Sequence, residues 1–332
     1  MTRQQWLSST GLLIMIIVLV MALILHLSIG TKVISTNELI QSFYAYNDEN
    51  FNHLIIQELR LPRALIAASV GACLATAGAL MQGVTRNPLA DPGLLGMMTG
   101  GALAVVYWSS FVNDASLIWL PVVAAAGALF SAIIVWLIAS RAAGGMTTLS
   151  LILSGSAFTA FSGALLAIHH LLDQQTFEEM RTWLVGSLTA SHIETLYWCL
   201  PWIILGLIGS IILAPSVTAL AMGEEVAIGL GINTVKRKWQ LLICVVILTS
   251  AAIALAGPLG FIGLVIPHVV RFIVGADYRW IIPYSILLGS IYLLVIDSLA
   301  RWIIQPQELA TGLITVLIGA PLFVWLVKVR VR

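Results

Sequence analysis

Long apolar runs, broken by proline, glycine and charge, set the pattern of this chain. They lie near 11–29, 62–82, 94–112, 117–139, 149–171, 195–214, 239–257, 259–275, 281–303 and 310–327. A helix needs about 20 apolar residues to cross the hydrocarbon core, whereas a barrel strand needs only about 10 in alternation, so unbroken runs of this length predict membrane-spanning helices. The eighth run is short, with Pro258 at its entrance and Pro267 inside. The first has the place of a secretory signal, but its exit "LHLSIGTK" lacks a small-x-small cleavage site, so it is read as a span. The expectation is an all-α integral membrane protein of about ten transmembrane helices, a single transmembrane domain over residues 1–332.

Composition agrees with the pattern. The 332 residues are 60% hydrophobic and 9% charged, against about 25% charged in a typical soluble domain. The net charge of +1 implies no acidic or basic partner and gives no reason to expect nucleic-acid binding, so the placement of charge carries the information. With an even number of spans both termini share one side. Putting them in the cytoplasm places Arg3, Arg86, Arg141, Lys236, Arg237, Lys238, Arg271, Arg279, Lys328, Arg330 and Arg332 inside, and leaves Lys32, Arg60, Arg63, Arg181 and Arg301 outside. The positive-inside rule therefore favours cytoplasmic termini.

The segments "AGALMQGVTRNP" (Ala77 to Pro88) and "AGPLGFIGLVIP" (Ala256 to Pro267) share Ala-Gly-x-Leu and a proline at the same offset. They leave the second and seventh spans, which run in opposite directions, as inverted repeats of transporters do. The longer segments outside the spans are 31–61, 172–194 and 215–238, none long enough for a soluble domain.

Catalytic chemistry is not written in the chain. The six histidines include no H-E-x-x-H, and the adjacent pair His169 and His170 points to different helix faces, so no metal site is expected. Lys32, Lys236, Lys238 and Lys328 are followed by Val, Arg, Trp and Val, which excludes a phosphate-binding loop of the G-x-x-x-x-G-K-[ST] type. Any use of ATP belongs to another chain. Cys73, Cys199 and Cys244 sit singly in apolar runs and read as small core residues. Gly96 and Gly100 form a G-x-x-x-G, read as close packing within the chain. No cofactor is expected.

Two charged islands remain. Asp297, late in the ninth span, is four residues from Arg301, which suits an i,i+4 pair at a helix end or an outward charge for a partner. The segment "GEEVAIGLGINTVKRK" (Gly223 to Lys238) opens on Glu224 and Glu225, stops at Gly231 and restarts at Asn233, which predicts two short cytoplasmic helices. They either grip a partner protein or lie on anionic lipid through Lys236 to Lys238.

The stretches "RLPRALIAASVGACLATAGALMQGVTRNPLADPGLLG", "RTWLVGSL", "GEEVAIGLG" and "GPLGFIGLVIPHVVRFIVGADYRWIIPYSILLGSIYLLVIDSLARWIIQPQELATGLITVLIGAPLFVW" together resemble the FecCD-type permeases of ABC importers for ferric siderophores, haem and cobalamin. The resemblance covers nearly the whole chain in order. It implies a type II ABC importer permease in a bacterial cytoplasmic membrane. Its expected partners are a second permease subunit, two cytoplasmic ATPases and an extracytoplasmic substrate-binding protein. It assigns Arg60, Arg63 and Arg301 to docking of the binding protein, and Glu224, Glu225, Ala227, Leu230 and Gly231 to coupling with the ATPase. A ferric siderophore is the expected cargo, with cobalamin or haem as the alternative. An ion-driven secondary transporter would want mid-membrane carboxylates, for which Asp297 alone is thin. One departure from the family pattern is "ELATG", Glu308 to Gly312, where Glu-Leu-Pro-x-Gly is common before the last helix.

Overall fold

The structure is a computed structural model, and it describes residues 3–30, 32–112, 119–142, 147–189 and 193–330. Within these the helices in chain order are α1 (Arg3–Ser28), α2 (Thr36–Tyr44), α3 (Phe51–Leu54), α4 (Leu61–Thr85), α5 (Met97–Phe111), α6 (Leu120–Arg141), α7 (Thr148–Leu172), α8 (Gln174–Leu184), α9 (Ile193–Met222), α10 (Glu224–Gly229), α11 (Thr234–Ala256), α12 (Ile262–Val274), α13 (Tyr278–Trp302) and α14 (Thr311–Arg330). A wide π turn, Ile55–Arg60, joins α3 to α4, and a 3-10 turn, Pro92–Leu95, precedes α5. No strand occurs among the described residues. Each predicted apolar run contains one helix: α1, α4, α5, α6, α7, α9, α11, α12, α13 and α14. Among the described residues seven helical stretches are long and apolar enough to cross a membrane, and α12 and most of α14 are shorter apolar helices.

The hub is α4. Its side chains from Val70 to Thr85 are all buried, because α13, α11, α9 and α12 pack around it. A helix that is apolar on every face has no solvent side and belongs in the interior of a bundle. By contrast α1 and α7 keep large apolar side chains outward, including Leu13, Ile17, Leu153 and Phe161, as helices do at a lipid or subunit boundary. The α5, α6 and α7 helices form a second layer, joined to the hub through α11.

Close approach of α4 to α13 rests on glycine. A Cβ at Gly71 would stand 2.1 Å from the Gly289 carbonyl oxygen, so the two backbones touch where no side chain intervenes. Gly100 packs in the same manner on α6, as the G-x-x-x-G pattern suggested.

Three details differ from the expected spans. The sixth run continues through Pro215 to Met222, so α9 has 30 residues and carries the first part of the loop predicted for 215–238. The third run opens as the 3-10 turn, with Asp91 capping it through Gly93 N–H at 2.8 Å. The eighth is shorter: Gly257 leaves the helix at φ +68 and α12 starts only at Ile262, giving 13 residues and about 20 Å. Consequently the two echoed segments take different conformations, Ala77 to Thr85 wholly helical and Ala256 onward broken. The broken backbone is enclosed by protein, where its polar groups find partners, as lipid would not permit otherwise. Ser187 N–H donates to the Ala256 carbonyl at 3.0 Å, Gly312 N–H to the Gly186 carbonyl at 2.9 Å, and the Gln82 amide to the Gly263 carbonyl at 3.0 Å.

Gly71→Val forces α4 and α13 apart and is expected to cost about 1–3 kcal/mol or more, lowering the unfolding temperature of the detergent-solubilised chain. Gly163→Ala, where an added Cβ meets nothing within 4 Å, is expected to leave that temperature unchanged or raise it.

Candidate functional site

At one end of the bundle four helices converge on a buried carboxylate. Asp297 in the last turns of α13 is fully buried. It accepts two hydrogen bonds from Arg63, from Nε at 2.8 Å and from a terminal nitrogen at 3.0 Å, and one from Thr311 Oγ1 at 2.8 Å. His26 Nε2 lies 3.0 Å away and Arg301 Nε 3.4 Å away. Arg63 also reaches Glu308 at 2.7 Å, where the rim of the cluster meets solvent. The parts come from α1, α4, α13 and α14, the last through the "ELATG" segment.

The neighbouring arginines close the end of α1. A helix leaves its last carbonyls without partners. Arg60 donates to the carbonyls of Leu27 at 2.6 Å, Ser28 at 2.9 Å and Lys32 at 2.5 Å, and Arg301 donates to the His26 carbonyl at 2.9 Å. Gln305 adds a bond to the Gly30 carbonyl at 3.0 Å. Arginine suits this task because its planar fork of donors meets several acceptors at once.

The structure thus brings together Arg60, Arg63 and Arg301, and it corrects their expected exposure. Arg60 and Arg301 are only 5% and 3% exposed, and both are engaged by their own chain; Arg63 retains 12% of its side-chain surface. Their charges are directed inward because Asp297 and the end of α1 offer acceptors that water would otherwise have to supply. The expected Asp297–Arg301 pair is present, but its contact is longer than that from Arg63, 234 residues away in sequence. His26, Thr311 and Glu308 were not singled out as site residues. The departure at "ELATG" was the one signal that touched Glu308 and Thr311, and none pointed to His26.

The opposite end carries the second group. The Glu224 carboxylate pairs with Lys238 at 2.8 Å. That hydrogen bond, assisted by Thr234 and by the charges of Lys238 and Arg86, holds its pKa below the ordinary range against the opposing effect of burial. Glu225 is exposed, Ala227 is buried against the bundle, and Gly231 turns the chain at φ +77. Met222, Val226, Ile228, Leu230 and Val235 stand exposed around α10. Two short helices were expected; α10 is one, but Asn233 caps the long α11 directly, accepting from Lys236 N–H at 3.0 Å. Here too Gln82 receives a hydrogen bond from Arg271, which also approaches the Tyr278 hydroxyl at 3.5 Å.

Among the described residues no group of three or more His, Cys, Asp or Glu is placed to hold a metal ion. His192 lies outside the described residues. Cys73, Cys199 and Cys244 are free thiols.

The profile of the FecCD transport family matches residues 17–329. The Fe(3+)-citrate import system permease protein YfmD of Bacillus subtilis is 38% identical over 95% of this chain and 93% of its own length. The hemin transport system permease protein HmuU of Yersinia pestis is 40% identical over 81% of each chain. The ferric enterobactin transport system permease protein FepD of Escherichia coli is 33% identical, covering 96% of this chain and 95% of its own. Among solved structures, a metal-chelate type ABC transporter in an inward-facing conformation superposes with a TM-score of 0.83 at 28% identity, over 97% of this chain and 99% of that one.

Asp297→Asn leaves the buried Arg301 without a close counter-charge and Arg63 with Glu308 alone, and is expected to cost about 3–5 kcal/mol, read as a fall in unfolding temperature and in membrane abundance. Glu308→Gln at the rim is expected to cost less than about 1 kcal/mol in the same measurements.

Proposed function

Because the chain belongs to the FecCD transport family, we propose that it is a permease subunit of a binding-protein-dependent ABC importer that moves a ferric siderophore across a bacterial cytoplasmic membrane. The observation that carries this reading is the near-full-length match to permeases named for iron citrate and ferric enterobactin. In this reading the subunit pairs with a second permease and with two cytoplasmic ATPases, and receives its cargo from an extracytoplasmic binding protein. The chain supplies conduit and gate, and the free energy of ATP hydrolysis comes from its partners.

The charge distribution supports termini in the cytoplasm, with the α10 end inside and the Asp297 end outside. Coupling to the ATPase is assigned to Glu224, Glu225, Ala227, Leu230 and Gly231. Ala227 anchors α10 to the bundle while Leu230, Val226 and Ile228 present an apolar face, the kind of surface that a partner cleft buries. Docking of the binding protein is assigned to the Arg60, Arg63 and Arg301 cluster. Arg63 and Glu308 reach the surface, while Arg60 and Arg301 brace them from below.

Haem import is the second reading, favoured by the 40% identity to the hemin permease. An ion-driven transporter fits less well: a relay carboxylate must take up and release a cation, and Asp297 is held by Arg63, Arg301, His26 and Thr311.

Uptake of radioactive iron presented as a panel of ferric siderophores, in cells with and without the chain, is expected to fall for at least one chelate on deletion. Vanadate should abolish that uptake and an ionophore alone should not; the reverse would sink the ATP-driven reading. No loss across the panel would redirect the substrate to haem or cobalamin. Leu230→Asp is expected to abolish uptake and ATPase co-purification at normal membrane abundance. Glu308→Gln, which removes the carboxylate from one terminal nitrogen of Arg63 while Asp297 still holds the other two nitrogens, is expected to change binding-protein affinity severalfold; unchanged affinity would remove Arg63 from the docking surface.

A further inference from the structure

The cluster at the end of α13 holds its two carboxylates in opposite ways. Asp297 is fully buried and is gripped by Arg63, Thr311, His26 and Arg301. Glu308 keeps 27% of its side-chain surface. Among the described residues its carboxylate accepts from Arg63 Nη1 alone, at 2.7 Å, in an exposed contact. Arg63 gives Nε and Nη2 to Asp297, so Nη1 is the corner of the guanidinium left for a group arriving from the surface, and Glu308 occupies it.

The backbone on either side of Glu308 is pinned independently of that contact. Gln305 donates to the Gly30 carbonyl at 3.0 Å, Leu309 N–H to the Ala300 carbonyl at 3.2 Å, and Thr311 to Asp297 at 2.8 Å. Rotation about the side-chain torsions therefore carries the Glu308 carboxylate into water while the segment that bears it stays in place. The charge balance points the same way. Arg60, Arg63 and Arg301 stand at this end with Asp297 and Glu308, and withdrawal of Glu308 leaves Arg63 with a cationic donor facing outward. Another carboxylate satisfies such a donor best, because the bond it accepts is charge-assisted.

We propose that Glu308 is an exchangeable stand-in for an acidic side chain of the extracytoplasmic binding protein: it holds Arg63 in the undocked permease, and docking replaces it at Nη1. The inference rests on the assignment of Arg63 to the docking surface and adds that docking exchanges one ion pair for another. In the undocked state the Arg63–Glu308 pair presents little net charge, which mutes the long-range attraction that steers an acidic partner. Displacing Glu308 also lowers the affinity, and its tethered carboxylate competes at high effective concentration whenever the partner's acid lets go. An importer that must release its binding protein after each delivery gains a faster cycle from such a competitor.

The test is surface plasmon resonance of the full-length permease in nanodiscs against the binding protein that supports its uptake, at several salt concentrations. Glu308→Gln keeps the length of the side chain and removes its charge. It is expected to tighten binding about three- to tenfold, with faster association and a steeper loss of affinity on adding salt than the native chain shows. Glu308→Ala, which removes the acceptor altogether, is expected to tighten binding at least as much. Helix content and unfolding temperature should match those of the native chain in both variants, as for a carboxylate at the rim. Weaker binding by Glu308→Gln would make Glu308 a docking contact in its own right, overturning the exchange while leaving the docking surface in place. Affinity and salt dependence unchanged in both variants would overturn the exchange together with the assignment of Arg63.

Discussion

A carboxylate taken out of water must be given back its hydrogen bonds and its counter-charge, and the ends of four helices in this protein are arranged to do so for Asp297. Arg63 from α4 holds both oxygens, Thr311 from α14 and His26 from α1 fill the remaining positions, and Arg301 of α13 balances the charge. Removal of one member of such a group leaves the others buried and uncompensated, so the cluster fixes the relative placement of α1, α4, α13 and α14 rather than merely adding stability. With that end fixed, the glycine contacts between α4 and α13 follow as a matter of distance.

The same requirement governs the middle of the bundle. Backbone leaving a helix cannot face lipid, and the break at Gly257 to Phe261 occurs where Ser187 and Gln82 reach the chain on either side of it. The start of α14 is locked through Gly312 to the same "RTWLVGSL" segment that receives Ala256. Polar satisfaction thus joins α4, the turn after α8, and the junctions of α11, α12 and α14 into one interior, while α7 and α1 keep apolar faces for lipid or a second subunit.

At the other end the logic reverses. The turn around α10 is joined to the bundle by one buried small residue, Ala227, and one ion pair, Glu224 to Lys238, and its larger apolar side chains point away. A segment anchored by a small residue and capped by charge, with its hydrophobic surface outward, is suited to contact another chain and to pass displacement into α9 and α11, which it connects. One end of the bundle is thus tightly crosslinked and the other lightly held, an asymmetry consistent with the proposed coupling at α10.

Hydropathy by itself was enough to place ten helices, because every residue of a lipid-crossing segment must be compatible with hydrocarbon and the pattern is therefore local. Caps were equally legible: Asn233 starts α11, and Gly231 turns the chain before it. The motifs carried the family. What the sequence could not reveal was direction and partnership. Charge at a span's end reads as exposed, yet Arg60 and Arg301 are buried, because their acceptors come from α1, about 30 and 275 residues away along the chain. The same holds for the break before α12, whose apolar run conceals a turn stabilised by hydrogen bonds from α4 and the segment after α8. Local pattern determines which residues enter the membrane; only the assembled bundle decides which polar groups meet there, since each meeting requires two or more helices to be in place.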